Sequence, residues 1–377
     1  MKTDRGWRAQ AQVRLEELDT CSYPALCHLH GTPHRSLYTG GAGIAYVFWR
    51  AACRLQEPHW LHQARSWIDR VEASPEDERR MSTPDDPGQA IDIRVKDSFF
   101  LGNRGVVFAA ALIANAEDNA EMLRQTRKAF CAPPAEPDDV EELFRGTAGQ
   151  LVGSVLLLKE TGEEPLRKHA LTLARDLLAT ARPGAGGRPW PGNHRLGLAH
   201  GRAGNYYALL LCARETDLSL PDWIHAALCD FAASGRPQNR GVSWPVDERR
   251  EGRFVDTWCN GAPGLIMLWS LAYEVYHDPL FLATARATGE YCVQRRAPRV
   301  GTLCCGAAGT CYAFLSLHRI DPGGPWLERA IEHAHLALQT PCDRYYRLSL
   351  YRGTAGLVCL LMDMEDPAEA TMPLLEG

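Results

Sequence analysis

The chain alternates between two kinds of segment. Seven are apolar along nearly their whole length, and each is opened by the pattern Gly-x-x-Gly: Gly40/Gly43, Gly102/Gly105, Gly146/Gly149, Gly201/Gly204, Gly261/Gly264, Gly306/Gly309 and Gly353/Gly356. Runs such as Gly43-Ile44-Ala45-Tyr46-Val47-Phe48-Trp49 and Gly264-Leu265-Ile266-Met267-Leu268-Trp269 predict buried helices rather than strands, from their length and their Leu and Ala content. Between them lie amphipathic segments: His59 to Ala73, Pro165 to Ala181, Pro221 to Ala233, Pro279 to Arg295 and Pro325 to Gln339. Their apolar positions recur every three or four residues, with Arg, Glu and His on the other face. Pro221-Asp222 and Asp278-Pro279 suit helix starts. A further amphipathic stretch, Arg8 to Asp19, precedes the first glycine pair.

Successive first glycines stand 44 to 62 residues apart, the period of a repeat architecture. Seven apolar helices therefore alternate with seven amphipathic ones. An apolar helix must be covered on nearly all sides, and the simplest solution is a closed ring of inner helices wrapped by an outer ring. This is an all-α fold, an α/α toroid. No single repeat could bury its face alone, which predicts one domain over residues 1–377. The glycines are expected together at one end of the ring, where the chain turns sharply into each inner helix. There the inner-helix N-termini are expected to present free N–H groups and positive dipole ends to a shared bowl.

Composition narrows the class. A chain of 377 residues with 45% hydrophobic content can bury a large core. A net charge of −5 without any Lys/Arg block leaves no electrostatic footprint for nucleic acid. No apolar run follows Met1-Lys2-Thr3-Asp4-Arg5, and none reaches the ~18–20 residues of a membrane span. The expectation is a cytoplasmic protein with no transmembrane segment. Lys2 stands where myristoylation needs glycine, and no prenylation cysteine is present, which leaves peripheral membrane association open. Of the thirteen cysteines, most (Cys53, Cys131, Cys212, Cys229 and Cys292 among them) read as small buried hydrophobes.

Three cysteines stand apart. Cys304-Cys305 runs straight into Gly306-Ala307-Ala308-Gly309, and Cys259 lies in Trp258-Cys259-Asn260-Gly261-Ala262-Pro263-Gly264. All three occupy the one or two residues before a first glycine, in consecutive repeats. Adjacent cysteines bridge only through a strained small ring. In a toroid these positions face one another across the bowl, and three thiolates with an open fourth position describe a catalytic zinc site. Three buried, inert thiols explain the spacing equally well. His200, in Leu196-Gly197-Leu198-Ala199-His200-Gly201, fills the equivalent slot of the fourth repeat and is a candidate general acid or base. Glu142, four residues before Gly146, either orients such a histidine or belongs to the solvated acidic run Asp138-Asp139-Val140-Glu141-Glu142. Arg299, Arg344 and Arg347 offer cations to an anionic substrate, although each alone reads first as a surface charge.

These motifs, with Ser349-Leu350-Tyr351-Arg352-Gly353-Thr354-Ala355-Gly356, resemble the LanC-like proteins, the eukaryotic relatives of bacterial lanthionine cyclases. The resemblance spans nearly the whole chain, and the tail from Leu360 to Leu375 looks closest to the LanC-like protein 3 type of animal members. It implies a toroid with one zinc ion, held by Cys259 and by Cys304 and Cys305, the latter pair being Cys-His in most members. It implies Michael-type addition of a thiol to dehydroalanine or dehydrobutyrine. The thiol is a peptide cysteine in bacterial members and glutathione in animal members, whose partners are proteins or peptides containing dehydroamino acids. His200 matches the family's acid/base histidine, Glu142 falls in the segment matching an Asp-Glu-Leu motif, and Arg299 matches a basic position associated with glutathione.

Two departures matter. Asn260 stands where a histidine usually follows the first cysteine, so a hydrogen-bond donor for a developing oxyanion remains but a proton shuttle does not. Cys305 replaces the ligand histidine, which weakens zinc's Lewis acidity and leaves a bound thiolate more nucleophilic. Two functions follow: a zinc-dependent glutathione transferase, or a non-catalytic zinc- and glutathione-binding adaptor that has lost part of the catalytic set. A glycosidase or terpenoid cyclase on a similar toroid would want paired carboxylates or an aspartate-rich cluster at the repeat mouths, and neither is there.

Overall fold

The apolar runs fold as seven helices, here labelled in chain order with the others: α2 (Gly41–Leu55), α4 (Asn103–Ala116), α6 (Thr147–Thr161), α8 (Arg202–Glu215), α10 (Ala262–Tyr276), α12 (Ala307–Ile320) and α14 (Thr354–Asp363). The computed structural model describes residues 6–21, 34–74, 97–133, 141–183, 189–250, 252–343 and 346–376, so Arg344 and the stretch Asp138-Asp139-Val140 lie outside the described residues. Each inner helix packs against its two neighbours, and α14 packs against α2, which closes the ring. In α10 every residue from Ala262 to Ala272 is buried, as a helix covered on all sides requires.

The outer ring is α1 (Trp7–Asp19), α3 (His59–Ala73), α5 (Ala120–Phe130), α7 (Glu164–Ala179), α9 (Asp222–Ala233), α11 (Pro279–Val293) and α13 (Trp326–Gln339). Five of them are the amphipathic segments read from the sequence, while α5 adds one that the reading did not name. The Arg8–Asp19 stretch is no appendage: α1 packs against α14 and supplies the seventh outer helix from the other end of the chain. The fold is thus an α/α toroid. Its one small sheet, among the described residues, is the hairpin of β1 (Arg236–Gln238) and β2 (Gly241–Ser243), with Pro237 opposite Val242.

The loops entering the inner helices share one register. Three residues before each first glycine stand Leu37, Phe99, Leu143, Leu198, Trp258, Leu303 and Leu350, all buried. Each leans on the second glycine of the following repeat. A Cβ on Gly264 would sit 2.8 Å from Leu198 Cβ, and one on Gly309 would sit 3.2 Å from Trp258 Cβ. The first glycines have φ between −111° and −131°. Glycine is therefore selected here by close approach and not by a left-handed backbone.

Two residues before the first glycines, backbone hydrogen bonds join five of the seven neighbouring pairs of loops. The N–H of Tyr38 donates to Phe100 O (3.0 Å), Phe144 to Ala199 O (3.0 Å), Ala199 to Cys259 O (2.8 Å), Cys304 to Tyr351 O (2.9 Å) and Tyr351 to Tyr38 O (3.2 Å). The last of these joins the final repeat to the first. At four of the seven inner helices the first N-terminal donor, expected to face the bowl, is spent inside its own loop: Gly41, Arg202, Ala307 and Thr354 donate to the carbonyls of His34, Arg195, Val300 and Arg347. At the opposite end the C-terminal segment plugs the ring. Met372, Leu374 and Leu375 are fully buried, and Tyr351 Oη donates to Pro373 O at 2.6 Å.

Candidate functional site

With the register fixed, the bowl can be read slot by slot. Its floor, two residues before each first glycine, is Tyr38, Phe100, Phe144, Ala199, Cys259, Cys304 and Tyr351; its mouth, one residue before, is Thr39, Leu101, Arg145, His200, Asn260, Cys305 and Arg352. Four aromatic rings pack together over one side of the floor. Tyr38 lies 5.3 Å from Tyr351 and 4.7 Å from Phe144, and Phe100 lies 5.5 Å from Phe144. The thiols hold the other side.

The structure brings the three predicted cysteines together. Cys259 Sγ stands 3.9 Å from Cys305 Sγ, Cys305 Sγ stands 3.4 Å from Cys304 Sγ, and all three lie within 4.8 Å of one another. Thiolates around a tetrahedral ion with bonds of ~2.3 Å would stand about 3.8 Å apart. The spacing is compatible with an ion of the zinc kind. Cys259 and Cys304 are buried, while Cys305 reaches the open mouth. Hydrogen bonds from the Cys304 and Cys305 thiols hold Cys259 well below the usual thiol range, and its proximity pushes Cys304 up.

His200 is held beside this trio by the backbone link from Ala199 to Cys259 and by the nesting of its loop. At Gly197 a Cβ would stand 2.7 Å from Cys259 O and 2.8 Å from Asn260 C, so only glycine lets the two loops touch. The imidazole packs edge-on to Phe144 at 5.0 Å. Its Nδ1 lies 3.0 Å from Glu142 Oε2, which makes Nδ1 the donor to an ionised carboxylate and leaves the Nε2 lone pair as a proton acceptor.

Glu142 belongs to this site and not to the solvated acidic face. The slot four residues before each first glycine holds Ser36, Ser98, Glu142, Gly197, Thr257, Thr302 and Ser349, so Glu142 is its one ionisable member. The serines there cap their own loops: Ser98 and Ser349 accept from the N–H of Leu101 (3.1 Å) and Arg352 (3.2 Å). Glu142 does the same through Oε1, accepting from Arg145 N–H at 2.8 Å and Arg145 Nε at 2.9 Å. One oxygen builds the loop and the second is left for His200. Burial alone pushes this carboxyl up, but the hydrogen bond and charge of His200, then Arg145, bring it below its usual range.

Asn260 donates its amide to Cys259 Sγ at 3.4 Å, so one of its two N–H groups is spent on a candidate ligand. Arg299 is exposed on the loop before α12. Arg347 is exposed and lines a separate hollow of about 300 Å³ with Arg14, Cys342 and Asp343. Among the described residues, Arg352 is a cation whose charge is felt by Tyr38, Cys304 and Cys305. It is ion-paired with Asp343 and lies over the Tyr346 ring at 4.8 Å from the centroid. Tyr38, whose hydroxyl lies beside Cys304, is likewise a neighbour that its sequence position alone did not reveal. Phasing was the available signal for both, since each fills a floor or mouth slot. No helix of the described residues is long and apolar enough to cross a membrane.

Known proteins match this arrangement over most of its length. A zebrafish (Danio rerio) protein named Glutathione S-transferase LANCL1 is 24% identical over 369 residues, covering 90% of this chain and 84% of its own. The Arabidopsis thaliana LanC-like protein GCL1 is 27% identical over 310 residues, covering 73% of this chain and 69% of its own. Among solved structures, nisin cyclase superposes with a TM-score of 0.69 at 15% identity, over 98% of this chain and 96% of that one, a likeness of fold. The sequence profile described as Lanthionine synthetase C-like protein matches residues 34–376. The chain belongs to the lanthionine synthetase C-like family.

Proposed function

We propose that this chain, acting as one toroidal unit in the cytoplasm, holds a zinc ion through Cys259, Cys304 and Cys305 and adds the thiol of glutathione to dehydroalanine or dehydrobutyrine residues of proteins. The observation that carries the reading is the thiol trio at zinc-compatible spacing, one repeat away from a His200–Glu142 pair. The relative named as a glutathione S-transferase supports the choice of thiol, and the fold shared with nisin cyclase supports a peptide acceptor. Zinc, when bound, would lower the pKa of an incoming thiol and keep it as a thiolate at neutral pH.

The protein's own residues supply the rest. Glu142 fixes the His200 tautomer with Nδ1 protonated, so Nε2 takes the thiol proton. Sulfur then adds to the β-carbon of the dehydroamino acid. The C–S bond forms as the C=C π bond breaks, and the electron pair passes to the α-carbon and its carbonyl. His200 returns the proton to the α-carbon, so atoms and charge balance without redox. Arg352, with the exposed Arg299 and Arg347 further out, supplies positive charge for the carboxylates of glutathione.

One observation favours the adaptor alternative. Asn260 cannot titrate, and its amide is engaged with Cys259. The two readings separate when zinc-loaded protein is incubated with glutathione and a dehydroalanine peptide and the products are weighed by mass spectrometry. The transferase gives an adduct whose yield collapses in His200→Ala and rises in Asn260→His. An adaptor binds glutathione and gives no adduct above background.

A further inference from the structure

We propose that the outer ring carries a second, separate metal site, in which His225 and Cys229 of α9 bind a zinc-class ion and Asp278 at the start of α11 orients the histidine. From the sequence alone Cys229 reads as an inert buried thiol. The structure gives it company that an inert thiol does not need. His225 and Cys229 are one turn apart on the same face of α9, and Cys229 Sγ lies 3.8 Å from His225 Nδ1. Ligands at ~2.3 Å (sulfur) and ~2.0–2.1 Å (nitrogen) around a tetrahedral ion would stand about 3.6 Å apart. The pair is already at chelating distance.

The imidazole is fixed on three sides. Its Nε2 lies 2.9 Å from Asp278 Oδ2, while Asp278 Oδ1 accepts the Leu280 N–H at 2.9 Å and caps α11. Tyr276 and Phe281 pack edge-on to the ring at 4.9 and 5.5 Å. With Nε2–H committed to the carboxylate, the Nδ1 lone pair faces the thiol, which is the carboxylate–histidine–metal arrangement that sets tautomer and raises ligand basicity. The side chain of His225 is 38% exposed and that of Asp278 27%, which leaves room for water or a third protein oxygen to complete the ion's coordination. The mixed sulfur and nitrogen donors select zinc or copper over magnesium or calcium.

The same three residues could also be read as a nucleophile, base and carboxylate. Two carboxylates, Asp278 and Asp230, lie close enough for their charge to act on Cys229, and a cation between the thiol and the imidazole would offset that charge. The site shares no residue with the bowl, whose cysteines lie in the loops before α10 and α12. An ion here would sit on α9, next to the His225–Asp278 hydrogen bond that already joins α9 to the start of α11, the next member of the outer ring.

Native mass spectrometry of the full chain titrated with zinc, at protein and metal concentrations in the low micromolar range, tests this. We expect two ions on the wild-type protein and one on Cys229→Ala or His225→Ala, with the remaining ion bound as tightly as before. Asp278→Asn should weaken only the second ion, on the order of 10–100-fold. Equal stoichiometry and equal affinities in wild type and Cys229→Ala would overturn the site. Alkylation of the wild-type protein, mapped by peptide, guards against variants that fail to fold. Stoichiometric zinc should slow labelling of Cys229 at least tenfold, and an unchanged rate would also overturn it.

Discussion

Replacing Glu142 by Gln probes the bowl at its most connected point. Glu142 is 2% exposed and accepts from Arg145 N, Arg145 Nε and His200 Nδ1. A glutamine keeps one carbonyl oxygen, which can still serve Arg145 and cap the loop, so the loss falls on the His200 arm. A hydrogen bond to a charged group is worth roughly 1.5–3 kcal/mol, and that is the expected loss of stability at pH 7. The amide would then present N–H groups to Nδ1, which reverses the histidine tautomer and places the proton on Nε2. By analogy with other histidine–carboxylate pairs, adduct formation should fall by about 10²–10⁴-fold. Urea unfolding and long-range nitrogen–proton NMR of the His200 ring measure the two effects separately. The sign with pH is fixed: a carboxyl depressed on folding contributes stability that is complete above its unfolded pKa of ~4.3 and is lost as pH falls through the lower folded value. The gap between wild type and Glu142→Gln should therefore close in acid. An unchanged tautomer, with a stability loss under about 0.5 kcal/mol, would refute the assignment.

Other substitutions examine separate parts of the account. Gly197→Ala would drive a Cβ to 2.7 Å from Cys259 O; with backbone on both sides unable to yield, it should cost about 1–3 kcal/mol by thermal unfolding and weaken zinc binding with it. Arg352→Ala should leave the chain folded by circular dichroism but weaken glutathione binding on the order of tenfold to a hundredfold by calorimetry, the worth of a charge-assisted contact. Tyr351→Phe removes the 2.6 Å hydrogen bond to Pro373 O and should cost about 1 kcal/mol in urea unfolding, with the C-terminal plug exchanging its amide protons faster.

How much of this was legible in the chain depends on what each feature rests on. The toroid was, because an apolar run after every glycine pair admits few other ways of burial. The seventh outer helix was visible as the Arg8–Asp19 stretch, but its place on α14 was not, since nothing local says that the first helix covers the last repeat. The trio Cys259, Cys304 and Cys305 and the histidine at 200 were found by slot. Glu142 was seen, but its two-oxygen role needed comparison with the serines and threonines in the same slot of the other repeats. A charge near a motif carries no direction, so the arginines could be named but not aimed: Arg347 lines the outer hollow, while the charge of Arg352, in the same loop, is felt by Cys304 and Cys305. The backbone hydrogen bond joining Tyr351 to Tyr38 is a property of ring closure, and no side chain announces it.

The central claim is that three thiolates of the bowl hold an ion with a position open to a fourth sulfur. X-ray absorption at the zinc edge tests it directly, on the Cys229→Ala protein loaded with one equivalent of zinc. The account predicts three sulfur neighbours at ~2.3 Å and one lighter atom, changing to four sulfurs when glutathione is added. A shell dominated by nitrogen and oxygen, or a three-sulfur shell that glutathione leaves unchanged, would contradict it.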